Sequence, residues 1–370
     1  EYGKPLWVNK APLPPRTDII QFNPEQHGAE LQRNLQWKDC PENMKEELTE
    51  IIKNFWDVFI EEGVRNNIRG VQFHVDTGET TPICVRPPRY GPHETRVIND
   101  LVAKLEANGI VEDDDGPWGA PIVLAAKPNQ EHLHWSQYTW RLCVSYRKIN
   151  AVTRPFTFPI IRCDDAVKEI GNATCFITMD LDSGYWQVPC EEKSKAKLAF
   201  FTPTGKKRFR TMPMGATNAH PVFVALVAKF KKEWDILASG KGLRNFYSQV
   251  IVDDIIIAAK DTRVLIEYFK CILSILLHYR CTAKLKKCRF LPSVAEFVGL
   301  DIHPQGNSPA KSKFEAFQKL GPPKTFTDLN MLIGCFGFYQ EHLPLYEVRI
   351  KRWRETQKLR PPPGTPKKDE

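Results

Sequence analysis

The sequence predicts an α+β fold, a sheet domain with helical additions, and three observations carry that reading. Short β-branched runs such as ATCFITM and VIVDDIII read as buried strands. Longer stretches place apolar residues at helical spacing. The two kinds alternate irregularly, without the regular rhythm of a parallel βαβ sheet. At 370 residues the chain can form two or three compact units. Its 42% hydrophobic and 26% charged residues are ordinary globular usage, which excludes a wholly disordered chain.

The elements follow in order. Residues 1–40 are proline-rich and aperiodic, and read as a linker or arm. CPENMKEELTEIIKNFWDVF brings Met44, Leu48, Ile51, Ile52, Phe55 and Phe59 onto one helical face. VQFHVDTGETTPICVRPP is extended. HETRVINDLVAKLEANGIV is a helix stopped by Asn108-Gly109. PIVLAAK and WRLCVSY are strands around a polar, aromatic loop, NQEHLHWSQYT. RCDDAVKEI is a short helix with Asp164 as its expected cap. ATCFITM is a strand ending at Asp180, and KLAFFTP with KKRFRTM is a hairpin around Thr204-Gly205. PVFVALVAKFKKEW is a helix with Pro221 in its first turn. SQVIVDDIIIAAK reads as a tight hairpin, followed by an amphipathic helix over TRVLIEYFKCILSILLHY. AEFVGLDI is a short strand, and FTDLNMLIGCFGFYQEHL a last helix.

Charge is uneven. Net charge is +8, yet residues 193–232 hold ten Lys or Arg and no acid. Lys206, Lys207 and Arg208 lie at its centre. A solvated face is the ordinary explanation of a basic stretch, but one this long without an acid suggests a polyanionic partner, nucleic acid above all. No apolar run nears the ~18 residues of a membrane span, and the first residues do not resemble a signal peptide. Ten cysteines without a C-x-x-C pair read as reduced, buried thiols.

Chemistry concentrates in carboxylates. Asp253-Asp254 stand between two β-branched runs, at the tip of the expected hairpin. Aspartate favours turns in general, but adjacent carboxylates resist joint ionisation, and a divalent cation removes that cost. If the strand ending at Asp180 is a neighbour, three carboxylates converge, a set suited to two-metal phosphoryl transfer. Three other signals are set aside. Asp76-Thr77-Gly78 matches an aspartic-protease triplet without the β-rich frame such a protease needs. Glu112 to Asp115 reads as a solvated turn. His132 and His134 lack a matching zinc-ligand set.

From about residue 50 to 345 the chain resembles the reverse transcriptase of gypsy-type LTR retrotransposons, relatives of retroviral polymerases. The matching blocks run in family order: GIVEDDDGPWGAPIVLAAK, WRLCVSYRKINAVT, FPIIRCDDAVKEIGNATCFITMDLDSGYWQV, KLAFFTPTGKKRFRTMPMGATNA, IVDDIIIA, KCRFLPSVAEFVGLDI and PPKTFTDLNMLIGCFGFYQEHLP. The resemblance implies a right-hand polymerase with fingers, palm and thumb. It implies Asp180, Asp253 and Asp254 as a metal-binding catalytic triad, with the Leu181 carbonyl as an extra ligand, holding two Mg2+ or Mn2+ ions. Arg141 and Lys127 would grip the incoming triphosphate, and Tyr185 would lie under the deoxyribose. Met214-Gly215 would pack near the nucleotide. Phe297 to Leu300, Gly299 included, would hold the primer end, and the helix from Phe326 would track the template–primer.

The implied organisation is an arm over 1–40, fingers and palm over 41–310, a thumb over 311–346, and a tail over 347–370 before a missing RNase H domain. The implied partners are an RNA or DNA template with primer and dNTPs. A homodimer is compatible, and RNase H and integrase domains would lie elsewhere in the same polyprotein. The place of action would be intracellular, in a cytoplasmic particle or the nucleus. Several positions depart from the pattern: Ile251 before Val-Asp-Asp, Ser145, Met214, His220-Pro221 and Gln340-Glu341. They keep a second expectation open, a weakened or host-retained copy that binds nucleic acid without polymerising.

Overall fold

The computed structural model describes residues 6–8, 13–38, 40–60, 67–127, 130, 133–171, 173–318 and 321–358. The chain divides into two units, Glu1–Ser293 and Val294–Glu370. His132 lies outside the described residues.

The arm is not a free linker. A strand β1 (Leu6–Val8) pairs antiparallel with β2 (Val71–Phe73). Helix α1 (Pro24–Asn34) starts on an Asn23 cap whose side chain accepts the Glu25 N–H. Between them Arg16 is buried against Asp57 at 2.5 Å and also donates to the Leu277 carbonyl at 3.0 Å. A buried, always-charged guanidinium needs such partners, so the arm is fixed where it crosses the body. The expected first helix is α2 (Glu42–Asn54), followed by a separate turn α3 (Trp56–Phe59). Its predicted apolar face is buried, Leu48 and Ile52 fully.

Helix α4 (Pro92–Ala107) ends before Asn108, with Gly109 at φ 65°. Then come β3 (Val111–Asp113), β4 (Ile122–Ala126), β5 (Trp140–Val144), α5 (Arg147–Val152) and α6 (Cys163–Ile170). Asp164 lies inside α6, whose cap position is Arg162, without a side-chain cap bond. The chain continues through β6 (Cys175–Asp180), a single turn α7 (Glu192–Lys195), β7 (Ala199–Thr202) and β8 (Gly205–Phe209). Next are α8 (Ala219–Gly240), β9 (Phe246–Ile251), β10 (Asp254–Ala259), α9 (Thr262–Tyr279) and β11 (Arg289–Phe290). The central sheet runs β11-β6-β10-β9, entirely antiparallel. Its strands read as apolar runs because helices cover it: Ile255, Ile257, Phe230 and Phe269 share one core at 0% exposure.

Strands β3-β8-β7 form a second sheet, and β4-β5 a two-stranded hairpin. The second sheet corrects two expectations. Glu112 to Asp114 are not a solvated turn: Glu112 faces Arg208 and Asp113 faces Lys207 across the strands. Lys207 meets Asp113 at 2.8 Å and Glu106 at 2.6 Å, and Arg208 meets Glu112 at 2.8 Å and Glu192 at 2.9 Å. Lys206 meets the buried Asp114 at 2.8 Å. The basic run is therefore matched by an acidic run from elsewhere in the chain. Opposite charges directly across a ladder stabilise it, which is the physical reason for the match.

The second unit holds β12 (Ala295–Phe297), β13 (Leu300–His303), β14 (Gly306–Pro309), α10 (Lys311–Gln318), α11 (Phe326–Phe338) and α12 (Tyr346–Lys358). The three strands form one antiparallel sheet, so AEFVGLDI is a hairpin rather than a single strand. Helix α11 opens on a capping box between Thr325 and Asp328. Tyr346 and Ile350 of α12 are buried, and its Trp353 meets Phe336 of α11. Residues 347–358 thus extend the helical unit, where a tail was expected, and the contact boundary falls at 293, before the hairpin placed with the palm. The cysteines are all free, but Cys84 and Cys143 are exposed.

Candidate active site

The site is built on β6 and β10. Their register sets Asp254 directly opposite Asp180, where side chains of facing residues lie about 4.5–5.5 Å apart at Cβ. Strands β9 and β10 close through a two-residue turn, Val252-Asp253, with Ile251 paired to Asp254. The Leu181 N–H donates to the Asp253 carbonyl at 2.9 Å, so the turn is tied to the end of β6. Val252 adopts φ 60°. This first turn position in a hairpin of this hand normally takes glycine, and a β-branched residue is strained there.

The electrostatics follow from crowding. Burial pushes the Asp253 carboxyl above its ordinary value, and the Asp180 charge adds to it. Burial and then the charges of Asp253 and Asp180 push Asp254 up to about 6. Asp254 is open to water on one side, which screens part of that push. Lys287 Nζ lies 2.6 Å from Asp180 Oδ2. Burial works against its ammonium, but the Asp180 bond and the charges of Asp253 and Asp254 prevail and raise its pKa. Sequence reasoning missed Lys287; the signal was the cluster Lys284, Lys286 and Lys287 closing the loop before β11. Asp180 also accepts the Lys284 N–H on its carbonyl, and Lys284 Nζ reaches Asp182 at 3.3 Å.

Below the carboxylates Gln187 was missed too. It is fully buried, donates to the Asp182 and Thr282 carbonyls at 2.7 and 2.9 Å, and accepts the Thr282 N–H at 2.7 Å. Those bonds fix the loop after β6. Tyr185 stacks on Phe223 at 5.1 Å and 21°, and its hydroxyl meets His220 Nδ1 at 3.1 Å. Burial and the Asp253 charge raise its pKa. A Cβ at Gly184 would overlap the Phe223 ring, so only glycine lets this stack form. Met214 is exposed and Gly215 has φ 88°. Asn150 of α5 donates to the Gly215 carbonyl at 2.9 Å and accepts the Thr217 N–H at 3.0 Å.

On the β4-β5 hairpin Ala125 faces Arg141, and the Lys127 N–H bonds to the Thr139 carbonyl at 2.9 Å. Alternation then puts Lys127 and Arg141 on the same face as Val123 and Cys143, and all four are exposed. Among the described residues neither cation has a side-chain partner. In the second unit the Val298-Gly299 turn has φ 46° and 81°, a left-handed hairpin turn. The Gly299 carbonyl accepts from Tyr339 Oη at 3.1 Å and Ala310 N at 3.0 Å. The Phe297 ring is buried, so this hairpin presents backbone rather than that ring.

Whether a divalent cation suits the site can be tested on its donors. All are hard oxygens, their crowding raises two carboxyl pKa values, and Lys287 supplies the countercharge to Asp180 in its place. The chemistry fits. Among the described residues, however, no group of three or more His, Cys, Asp or Glu is drawn close enough to hold an ion. No helix among them is long and apolar enough to cross a membrane.

Residues 127–302 match the reverse transcriptase (RNA-dependent DNA polymerase) family. The chain is 26% identical over 338 residues to the retrovirus-related Pol polyprotein from transposon 297 of Drosophila melanogaster, covering 88% of this chain and 31% of that one. It is 28% identical over 279 residues to that from transposon opus of the same fly, covering 75% and 26%. It is 24% identical over 304 residues to the transposon Tf2-3 polyprotein of Schizosaccharomyces pombe, covering 80% and 21%. The chain thus spans about a third of these relatives or less. Its fold is similar to that of part of the foamy viral protease-reverse transcriptase. The structure in complex with an RNA/DNA hybrid superposes with a TM-score of 0.74 at 18% identity, over 96% of this chain and 45% of that one. That in complex with double-stranded DNA gives 0.77 at 18%, over 95% and 58%. A family of this kind works with divalent metal ions. Residues 127–302 thus carry the match to reverse transcriptases, and most of the chain is similar to the retrovirus-related Pol polyproteins of transposons.

Proposed function

We propose that the chain extends a primer 3′-hydroxyl with dNTPs, copying an RNA or DNA template. The observation that carries this is the register setting Asp254 against Asp180 with Asp253 on the turn between. Asp180, Asp253 and Asp254, with the Leu181 carbonyl, would hold two Mg2+ ions, Mn2+ substituting. When bound, such ions lower the pKa of the attacking hydroxyl and neutralise charge on the leaving phosphate. The remaining work belongs to the chain. Lys127 and Arg141, exposed and unpaired among the described residues, suit a triphosphate, whose oxygens a planar guanidinium can take in pairs. Tyr185, held from below by Phe223, would flank the sugar, and the loop tied by Asn150 would bring Met214-Gly215 against the nucleotide. The Val298-Gly299 turn would offer backbone to the primer. The setting would be inside the cell, in a particle or the nucleus, with RNase H and integrase elsewhere in one polyprotein.

A second reading, binding without polymerisation, draws on the Lys287–Asp180 pair and on Ile251 and Ser145. Primer extension on poly(rA)/oligo(dT), with and without magnesium, separates the two. Magnesium-dependent extension supports the polymerase. Tight template–primer binding without extension supports the second reading.

A further inference from the structure

The arm does more than cross the body at Arg16. From Pro14 to Trp37 it runs beside the segment that leaves α9, and the order of contacts is kept. The Pro14 carbonyl accepts from the Arg69 side chain, and the Arg69 N–H donates to the Tyr279 carbonyl. Arg16 donates to the Leu277 carbonyl, and Asp18 meets Arg280 at 3.2 Å. Helix α1 then packs against a short 3-10 turn, Leu285–Lys287. Gln36 accepts from Arg289 at 2.8 Å, and the Trp37 ring meets Phe290 at 5.6 Å. A plain linker touches a body where it must; this one is laid along a single segment from end to end.

That segment carries both lysines of the site, Lys284 on Asp182 and Lys287 on Asp180. Among the described residues between α9 and β11 there is only the 3-10 turn and one isolated bridge, from Ala283 to Leu181. A stretch so poor in ladder bonds takes its position from what flanks it. On the inner side the Lys284 N–H donates to the Asp180 carbonyl, and the Thr282 N–H donates to Gln187. On the outer side the flank is the arm. At the β11 end the firmer grip is Trp37, half-buried on the fully buried Phe290, because the Gln36–Arg289 bond lies in water.

We infer that the arm is a splint for the site: α1 and Trp37 hold the turn Leu285–Lys287 so that the Lys287 ammonium stays on Asp180. What the placement does for synthesis rests on the polymerase reading, but the placement itself does not. Trp37 is then a positioning residue, acting through Lys287 without touching substrate. A charge shifted by a fraction of its contact distance beside Asp180 alters the site while the fold stands.

Two measurements on the full chain test this. In hydrogen exchange without substrate, Trp37→Ala should speed exchange of the Lys287 and Cys288 amides about tenfold, leave β9 and β10 unchanged, and be largely reversed in Trp37→Phe. In single-turnover primer extension, Trp37→Ala should slow the wild-type chain about tenfold but a Lys287→Met chain by no more than about twofold. Should the Ala chain not fold, Trp37→Leu keeps apolar bulk and should give the same pattern with about threefold losses. Equal slowing in both backgrounds would make Trp37 a general support of the fold and overturn the proposal. Unchanged exchange at Lys287 and Cys288, or a Phe variant as impaired as Ala, would overturn it too. A wild-type chain that extends no primer, yet shows the local exchange change, would sink the polymerase reading and leave the splint standing.

Discussion

At the scale of single residues the carboxylates make the clearest demands. Asp253→Asn should abolish extension while template–primer affinity changes little, because duplex affinity rests on phosphate contacts. Extension within about tenfold of wild type, roughly 1.4 kcal/mol, would disqualify the triad. Asp254 makes a separate demand on stability. Its folded pKa of about 6 lies above its ordinary value of 3.8, so the folded chain holds more protons between those limits. Stability then falls as pH rises through that window. Asp254→Asn removes the loss. In EDTA it should raise Tm by about 2 °C at pH 7 and give no gain at pH 4, in paired thermal melts. Tyr185 bears on sugar choice. Tyr185→Ala should lower the dNTP-over-rNTP ratio of kcat/KM by ~10-fold or more, since the 2′-hydroxyl is the only difference to sense. His220→Ala, which frees the Tyr185 hydroxyl, should lower it by less. An unchanged ratio in Tyr185→Ala would make that ring a core tyrosine. That Asp180 meets the Asp253-Asp254 turn was legible, because two apolar strand runs each end at aspartate, whereas Tyr185 was singled out by family order alone. Lys287 and Gln187 were not legible, because Asp180 and Thr282 lie about a hundred residues from them and nothing local announces those pairings.

At the scale of elements the β3-β8 pair redirects an expectation. The density of cations over 193–232 pointed to phosphates, yet those of β8 face carboxylates within the fold. Replacing Lys206, Lys207 and Arg208 together with Gln should leave the salt slope of nucleic-acid binding within about one unit of wild type. The same variant should instead lose stability, about 1–3 kcal/mol by denaturant unfolding, since Asp114 and its neighbours are left without countercharge. A slope flattened by two or three units would return these residues to the nucleic acid. Composition within one window cannot reveal such a match; the acidic run at 112–114, set against the basic run at 206–208, was the available cue. Many strand and helix identities were otherwise legible from their periods, but α1 in the expected arm, β3 in the expected turn and α12 in the expected tail were not. The AEFVGLDI hairpin followed from family resemblance and not from its periods, because its Val-Gly turn interrupts a run too short to show two strands.

At the scale of the whole molecule, the contiguous apolar core of the described residues runs from Leu31 to Leu291, within the first unit. Residues 1–293 should therefore fold without the rest, with one cooperative melt whose Tm lies within about 5 °C of the corresponding transition in the full chain. Failure to melt cooperatively would mean the units depend on each other. Sequence reasoning placed that boundary later because the family blocks run on without a break, while contacts part at residue 293. One small feature has a reach beyond the fold. Val252 keeps a left-handed backbone that costs an L-residue about 1–2 kcal/mol and glycine almost nothing. Folding alone would replace it. Val252→Gly relaxes the turn, so that variant separates what the hairpin gives to the fold from what it gives to the chemistry.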